Sequence, residues 1–248
     1  MESSDQHLES PPGCARQFAT THWSVVLQAR NGQNAASSAL ETLCRTYWYP
    51  LYAFVRRSGH DGHSAQDLTQ DFFARFLAKN YLSNVNPAKG KFRSFLLAAL
   101  KHFLADEWDK TQTVKRGGGK PLVSLDDESA ESRYRLEPSH EITPDKIYDR
   151  RWALTLLELV LTRLEGEYEG QGKKRLFEVL QRWLLGKESG VPYSTAASTL
   201  GMTEGAMKVA VHRLRRRYRE LLRLEIANTV ACADDIDDEL RHLLAALR

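Results

Sequence analysis

The chain of 248 residues is 42% hydrophobic and sets 35 basic against 32 acidic side chains, for a formal net charge of +3. That length makes one large domain or two small ones, each with room for a packed core. No apolar run approaches the roughly 20 residues of a membrane-spanning helix, and residues 1–13 are polar, without a signal-peptide core. A cytoplasmic protein with no membrane partner is predicted.

Residues 1–20 read as a disordered leader, rich at its start in Ser, Pro and acids. A short helix is predicted over 23–30, ended by Asn31-Gly32. Residues 37–57 carry Leu40, Leu43, Tyr47, Leu51 and Phe54 at helical spacing. The run 58–62 breaks that helix. The next is predicted over 64–79, with Ser64 as its N-cap and Leu68, Phe72, Phe76 and Leu77 inside. After a turn-rich loop at 84–90, residues 91–110 form a long helix whose apolar side chains spread over much of its circumference.

Residues 112–145 hold Gly117-Gly118-Gly119, three prolines and four acids within 126–131. Low hydrophobicity and high charge predict a flexible acidic linker and a domain boundary. Helical periodicity resumes over 145–165, 173–185, 192–200 and 203–227, and a short amphipathic helix over 234–247 closes the chain. No strand alternation is sustained. The expected fold is therefore all-α: two small helical domains, 21–111 and 146–227, joined by a flexible linker at 112–145, with a C-terminal helix in 228–248.

Charge is segregated along the chain. Residues 205–224 hold seven bases (Lys208, Arg213, Arg215, Arg216, Arg217, Arg219 and Arg223) against Glu220 alone. Such a stretch faces a polyanion. It lies in a segment with helix-turn-helix features. Ala196, Ala197 and Leu200 line a small first helix, Gly201 turns the chain, Thr203 caps the second helix, and Val209, Val211 and Leu214 are expected to anchor it. A helix that enters the major groove N-terminus first brings its leading outward side chains to base edges, and later bases meet phosphates. Thr203, Glu204 and Lys208 are the base-edge candidates. Arg213, Arg216 and Arg217 are backbone candidates, with His212 and Arg215 outward beside them. An ordinary solvated basic face is the bland alternative.

Chemistry of bond-making finds no support. Cys14, Cys44 and Cys232 are odd in number and far apart, and read as incidental thiols. His60, Asp61, His63 and Asp67 suit no closed zinc site and read as turn residues. No Gly-rich phosphate loop follows a strand, and no Gly-x-Ser-x-Gly motif occurs. Neither an enzyme, a metal nor a cofactor is expected.

Taken together, these residues resemble the extracytoplasmic-function group of bacterial sigma factors, over about residues 40–224. The helix-turn-helix matches. The run Ala65-Gln66-Asp67-Leu68-Thr69-Gln70-Asp71-Phe72-Phe73 resembles the family's polymerase-docking helix. Phe92-Arg93-Ser94-Phe95-Leu96, with His102-Phe103-Leu104-Ala105-Asp106, resembles its promoter-melting helix. The resemblance implies core RNA polymerase and promoter DNA as partners. It implies that Ser64, Gln66, Asp67, Thr69, Gln70 and Asp71 meet polymerase. Unpaired bases would be held by Phe92, Arg93, Phe95, Lys101, His102, Phe103, Trp108 and Lys110, by stacking and edge hydrogen bonds. Core packing is the alternative for each aromatic, as weighty as DNA contact for Phe95 and Phe103.

Three departures stand out. A Trp is common in the family where Phe95 aligns, and an Asn where His102 aligns. The docking helix usually opens with acids where Ser64 and Gln66 stand, so two charges are missing at an interface that uses them for on-rate and register. A phosphate on Ser64 or Thr69 would restore about −1.5 to −2 charges. The bland alternative is that Asp67 and Asp71 suffice, or that the partner surface differs. A Ser/Thr protein kinase or an anti-sigma factor is the further partner to consider. The competing reading is a stand-alone helix-turn-helix regulator of operator DNA, which leaves the first half unexplained.

Overall fold

Apolar side chains three and four positions apart need a helix to share one face, and helices form wherever that spacing occurs in the described residues. The computed structural model describes residues 37–77, 91–113, 127–137, 142–184, 192–230 and 232–248. The predicted leader at 1–20, the helix at 23–30 and the loop at 84–90 lie outside them. In chain order the helices are α1 (Ser37–Arg57), α2 (Gly62–Leu77), α3 (Phe92–Thr113), α4 (Asp127–Arg135), α5 (Pro144–Gly170), α6 (Lys174–Leu180), α7 (Tyr193–Thr199), α8 (Glu204–Ala227) and α9 (Ile236–Ala246). No strand occurs among the described residues, so the class is all-α.

Local chemistry sets the helix ends. Thr143 caps α5, its hydroxyl accepting from the Lys146 N–H at 3.3 Å, and Pro144 takes the first helical position, where its missing N–H costs nothing. The cap of α2 is Asp61, not Ser64. Its carboxylate accepts from the Ser64 N–H at 3.0 Å and the Ser64 hydroxyl at 2.6 Å. An ionised acceptor makes the stronger cap bonds. These two bonds hold the Asp61 carboxyl down at about 2.

The two halves share one core. The largest helix–helix contact is between α1 and α5. There Tyr47, Tyr148 and Trp152 are wholly buried, each full burial of a large apolar side chain contributing about 1.5–3 kcal/mol. The Tyr148 hydroxyl donates to the Arg93 carbonyl at 3.0 Å, and the Phe92 N–H donates to the Thr229 carbonyl at 3.0 Å. The two predicted helical units, 21–111 and 146–227, thus touch one another among the described residues.

Part of the predicted linker is helix α4, packed on α1. Glu131 takes two bonds from Arg56, at 2.8 and 2.9 Å, and one from the Tyr52 hydroxyl at 2.7 Å. The Arg56 guanidinium lies 4.6 Å from the centre of the Tyr134 ring. Glu137 accepts from the Tyr49 hydroxyl and pairs with Arg151 of α5. Anchors made of charge and aromatic faces leave no apolar periodicity to read, which is why the composition looked unstructured. Cys44 keeps a free thiol, but Cys232 is disulfide-bonded, correcting its reading as a thiol. The linear spacing of cysteines does not reveal such a pairing.

Candidate nucleic-acid interface

The segment predicted as a helix-turn-helix is built from backbone chemistry. Helix α7 ends in a Schellman arrangement: Gly201 N–H donates to the Ser198 carbonyl at 3.2 Å, and Met202 N–H to Ala197 at 3.0 Å. This requires a left-handed residue after the helix, and Gly201 supplies it at φ 65°. Thr203 then caps α8, its hydroxyl accepting from the Ala206 N–H at 3.2 Å. Met207, Val211, Leu214 and Leu221 bury the inner face.

That phase decides which side chains look outward. Thr203, Glu204, Lys208, His212, Arg213 and Arg216 are exposed. Lys208 pairs with Glu204 at 2.7 Å and Arg216 with Glu220 at 3.5 Å. Such exposed pairs are worth at most about 1 kcal/mol and give way readily to a phosphate. Arg215 is turned inward, its Nε donating to the Trp183 carbonyl at 2.8 Å. Arg217 is held by Glu167 of α5 through two bonds, at 2.8 and 2.6 Å. The basic run therefore splits into cations that face solvent and cations that fasten α8 to the body.

Val209 is a correction. It does not anchor α8 but is 49% exposed, among the outward residues. Two positions separate it from both Met207 and Val211, which puts it on the far side of a helix. An outward apolar side chain on a groove-facing helix is the type that meets a thymine methyl. The helical phase of Met207, Val211 and Leu214 was the signal that finds it.

Helix α3 sorts its aromatic and basic residues in the same way. Phe92 and Phe103 are wholly buried, Phe92 edge-on to Tyr47 at 5.4 Å and Phe103 edge-on to Phe72 at 5.7 Å. Phe95 is half-buried beside Phe76. Their rings are filled with protein contacts. Arg93 is 7% exposed. What faces solvent is Lys101, His102, Trp108 and Lys110, with Trp108 64% exposed. Lys101 pairs with Asp145 and Lys110 with Glu107.

On α2, Asp67 and Asp71 are exposed and Ser64 and Gln70 half-buried. Ser64, Asp67 and Asp71 are spaced to form one outward stripe. Gln66 is turned in, lining a polar cavity of about 590 Å³ with Tyr52, Asp61, His63, Glu131 and Arg135. Thr69 is wholly buried, its hydroxyl donating to the Ala65 carbonyl at 2.6 Å. A kinase cannot reach it in this fold. Among the described residues no group of three or more His, Cys, Asp or Glu side chains is placed to hold a metal, and no helix is long and apolar enough to cross a membrane.

The family described as sigma-70 region 2 matches residues 43–113, from within α1 to the end of α3. The ECF RNA polymerase sigma factor SigE of Mycolicibacterium smegmatis is 24% identical over 202 residues, covering 82% of this chain and 68% of that protein. No solved structure matches.

Proposed function

We infer that this chain, which belongs to the extracytoplasmic-function group of the sigma-70 family of RNA polymerase sigma factors, directs initiation through two separate DNA-reading surfaces. Its family consists of initiation factors without catalysis of their own, and it is not an enzyme. The observation that carries the finer reading is the sorted surface of α8. Thr203, Glu204, Lys208 and Val209 stand at its leading edge, and His212, Arg213 and Arg216 follow along the outward face.

In this proposal residues 21–111 dock on core polymerase and hold the melted strand, and residues 146–227 read an upstream promoter element. Asp67 and Asp71 supply charge to the docking contact. Trp108 and His102 offer a stacking ring and an edge donor, and Lys101 and Lys110 offer phosphate contacts. The work takes place where bacterial polymerase resides, in the cytoplasm. Run-off transcription by core enzyme on a genomic library tests the reading. New start sites that depend on the chain support it, and an unchanged pattern refutes it. A stand-alone operator-binding regulator would instead bind duplex DNA tightly without polymerase.

Regulation by a Ser/Thr kinase is the finer part of the proposal. Ser64 is half-exposed at the start of α2, where a phosphate favours the helix dipole. It would give up its bond to Asp61 and face that carboxylate, so the gain must come from polymerase cations. In a polymerase pull-down, Ser64→Glu should be recovered above Ser64→Ala. Equal recovery of both with the wild type removes the kinase and leaves an anti-sigma factor as the candidate regulator.

A further inference from the structure

Glu239 of α9 is wholly buried, although a lone carboxylate there is strongly disfavoured. Two cations at the start of α3 compensate it. Arg93 Nε donates to its Oε1 at 2.6 Å, and Lys91 Nζ to its Oε2 at 2.8 Å. Asp149 of α5 takes a further bond from Arg93 Nη1 at 2.7 Å, and His242 lies 3.3 Å from the other Asp149 oxygen. The Arg93 guanidinium sits 5.0 Å from the centre of the Trp152 ring. The contact joins residues 146 positions apart, the first half of the chain to its last helix.

Arg93 belongs to the segment assigned above to melted DNA, yet Glu239, Asp149 and Trp152 enclose it. A guanidinium and an ammonium gripping one oxyanion is also how proteins hold phosphate. We propose that Lys91 and Arg93 form a binding site for a backbone phosphate of single-stranded DNA, occupied in the free chain by Glu239. Helix α9 is then an internal competitor. It leaves before the strand binds at this site, and its departure loosens the hold of the second half on α3. The proposal rests on the reading of α3 as a DNA-contacting helix.

The test uses the full chain, a fluorescent single-stranded oligonucleotide and anisotropy across a salt series. Glu239→Gln keeps the shape and removes the charge. Asp238→Asn removes an equal charge from the exposed Asp238–Arg241 pair. Glu239→Gln should bind roughly tenfold more tightly than wild type, since it frees a charge-assisted donor pair. Its log–log salt slope should steepen by about 0.7 for each phosphate newly paired. Asp238→Asn should stay near wild type, and Glu239→Gln combined with Arg93→Gln should lose the gain. Equal binding by the two single variants, or a gain that survives loss of Arg93, overturns the proposal. Should Glu239→Gln fail to fold, hydrogen exchange on the wild type decides. Saturating oligonucleotide should speed exchange in α9, and unchanged protection with DNA bound overturns it. Failure of run-off transcription would refute the sigma-factor reading while leaving this competition measurable.

Discussion

Arg217 and Glu167 lock α8 to α5 through a two-pronged bond, with Nε–Oε2 at 2.8 Å and Nη2–Oε1 at 2.6 Å. Arg213, four residues earlier, is exposed. The same side chain therefore faces solvent at one position of the helix and fastens helices together at another. Arg213→Ala should lower the salt slope of duplex binding by about 0.9, the signature of one lost phosphate contact, with little change in melting. Arg217→Ala should cost roughly 1 kcal/mol in urea unfolding. Equal effects of both variants on the salt slope would count against this division.

Phe103 and Trp108 should separate in the same manner. Phe103→Ala empties a wholly buried site and should destabilise the chain by about 3–5 kcal/mol. Trp108→Ala removes an exposed ring and should cost less than about 1 kcal/mol in stability. It should weaken single-strand binding by about 1–3 kcal/mol if a base stacks there. Unfolding curves and anisotropy on the two variants distinguish these outcomes.

Acid should undo the α2 cap late. The Asp61 carboxyl sits at about 2 in the folded chain against an ordinary 3.8, chiefly because the Ser64 hydroxyl and N–H donate to it. A depressed acid contributes stability above its unfolded value, and that contribution disappears as pH falls through its folded value. The window is thus from about 3.8 down to about 2. Carboxyl NMR should find the midpoint near 2, and Ser64→Ala should move it upward. A midpoint unmoved by that variant would show that the hydroxyl bond is not the cause.

The cap of α8 is equally specific. Thr203→Ala should cost about 1 kcal/mol, while Thr203→Ser, which keeps the oxygen, should recover most of it. Thermal unfolding of the three proteins measures the difference.

Burial pushes the Cys44 thiol up to about 11. At pH 8 only about one molecule in a thousand then carries the reactive thiolate. Alkylation of Cys44 by iodoacetamide should be far slower than that of a free model thiol, and should accelerate in urea. Reaction at the model rate in the folded chain would contradict the burial.

The local geometry of the candidate site was legible from local pattern. The Gly201 turn and the Thr203 cap stand where the sequence places them, because turn and cap are encoded within a few residues. Val209 is apolar yet outward, because the phase set by Met207, Val211 and Leu214 turns it away from the core. Phe92, Phe103 and Arg93 could not be sorted from sequence. Their neighbours Tyr47, Phe72 and Glu239 lie on other helices.

Periodicity, caps and charge runs are properties of neighbours along the chain, so they fix the helices, the Gly201 turn, the Thr203 cap and the basic run of α8. Which arginine meets solvent, which phenylalanine fills the core, and how α4 and α9 bind the halves together were decided only by tertiary structure. The reason is physical: burial and ion pairing depend on partners brought together by folding. No linear spacing ties Arg56 to Glu131 or Arg93 to Glu239.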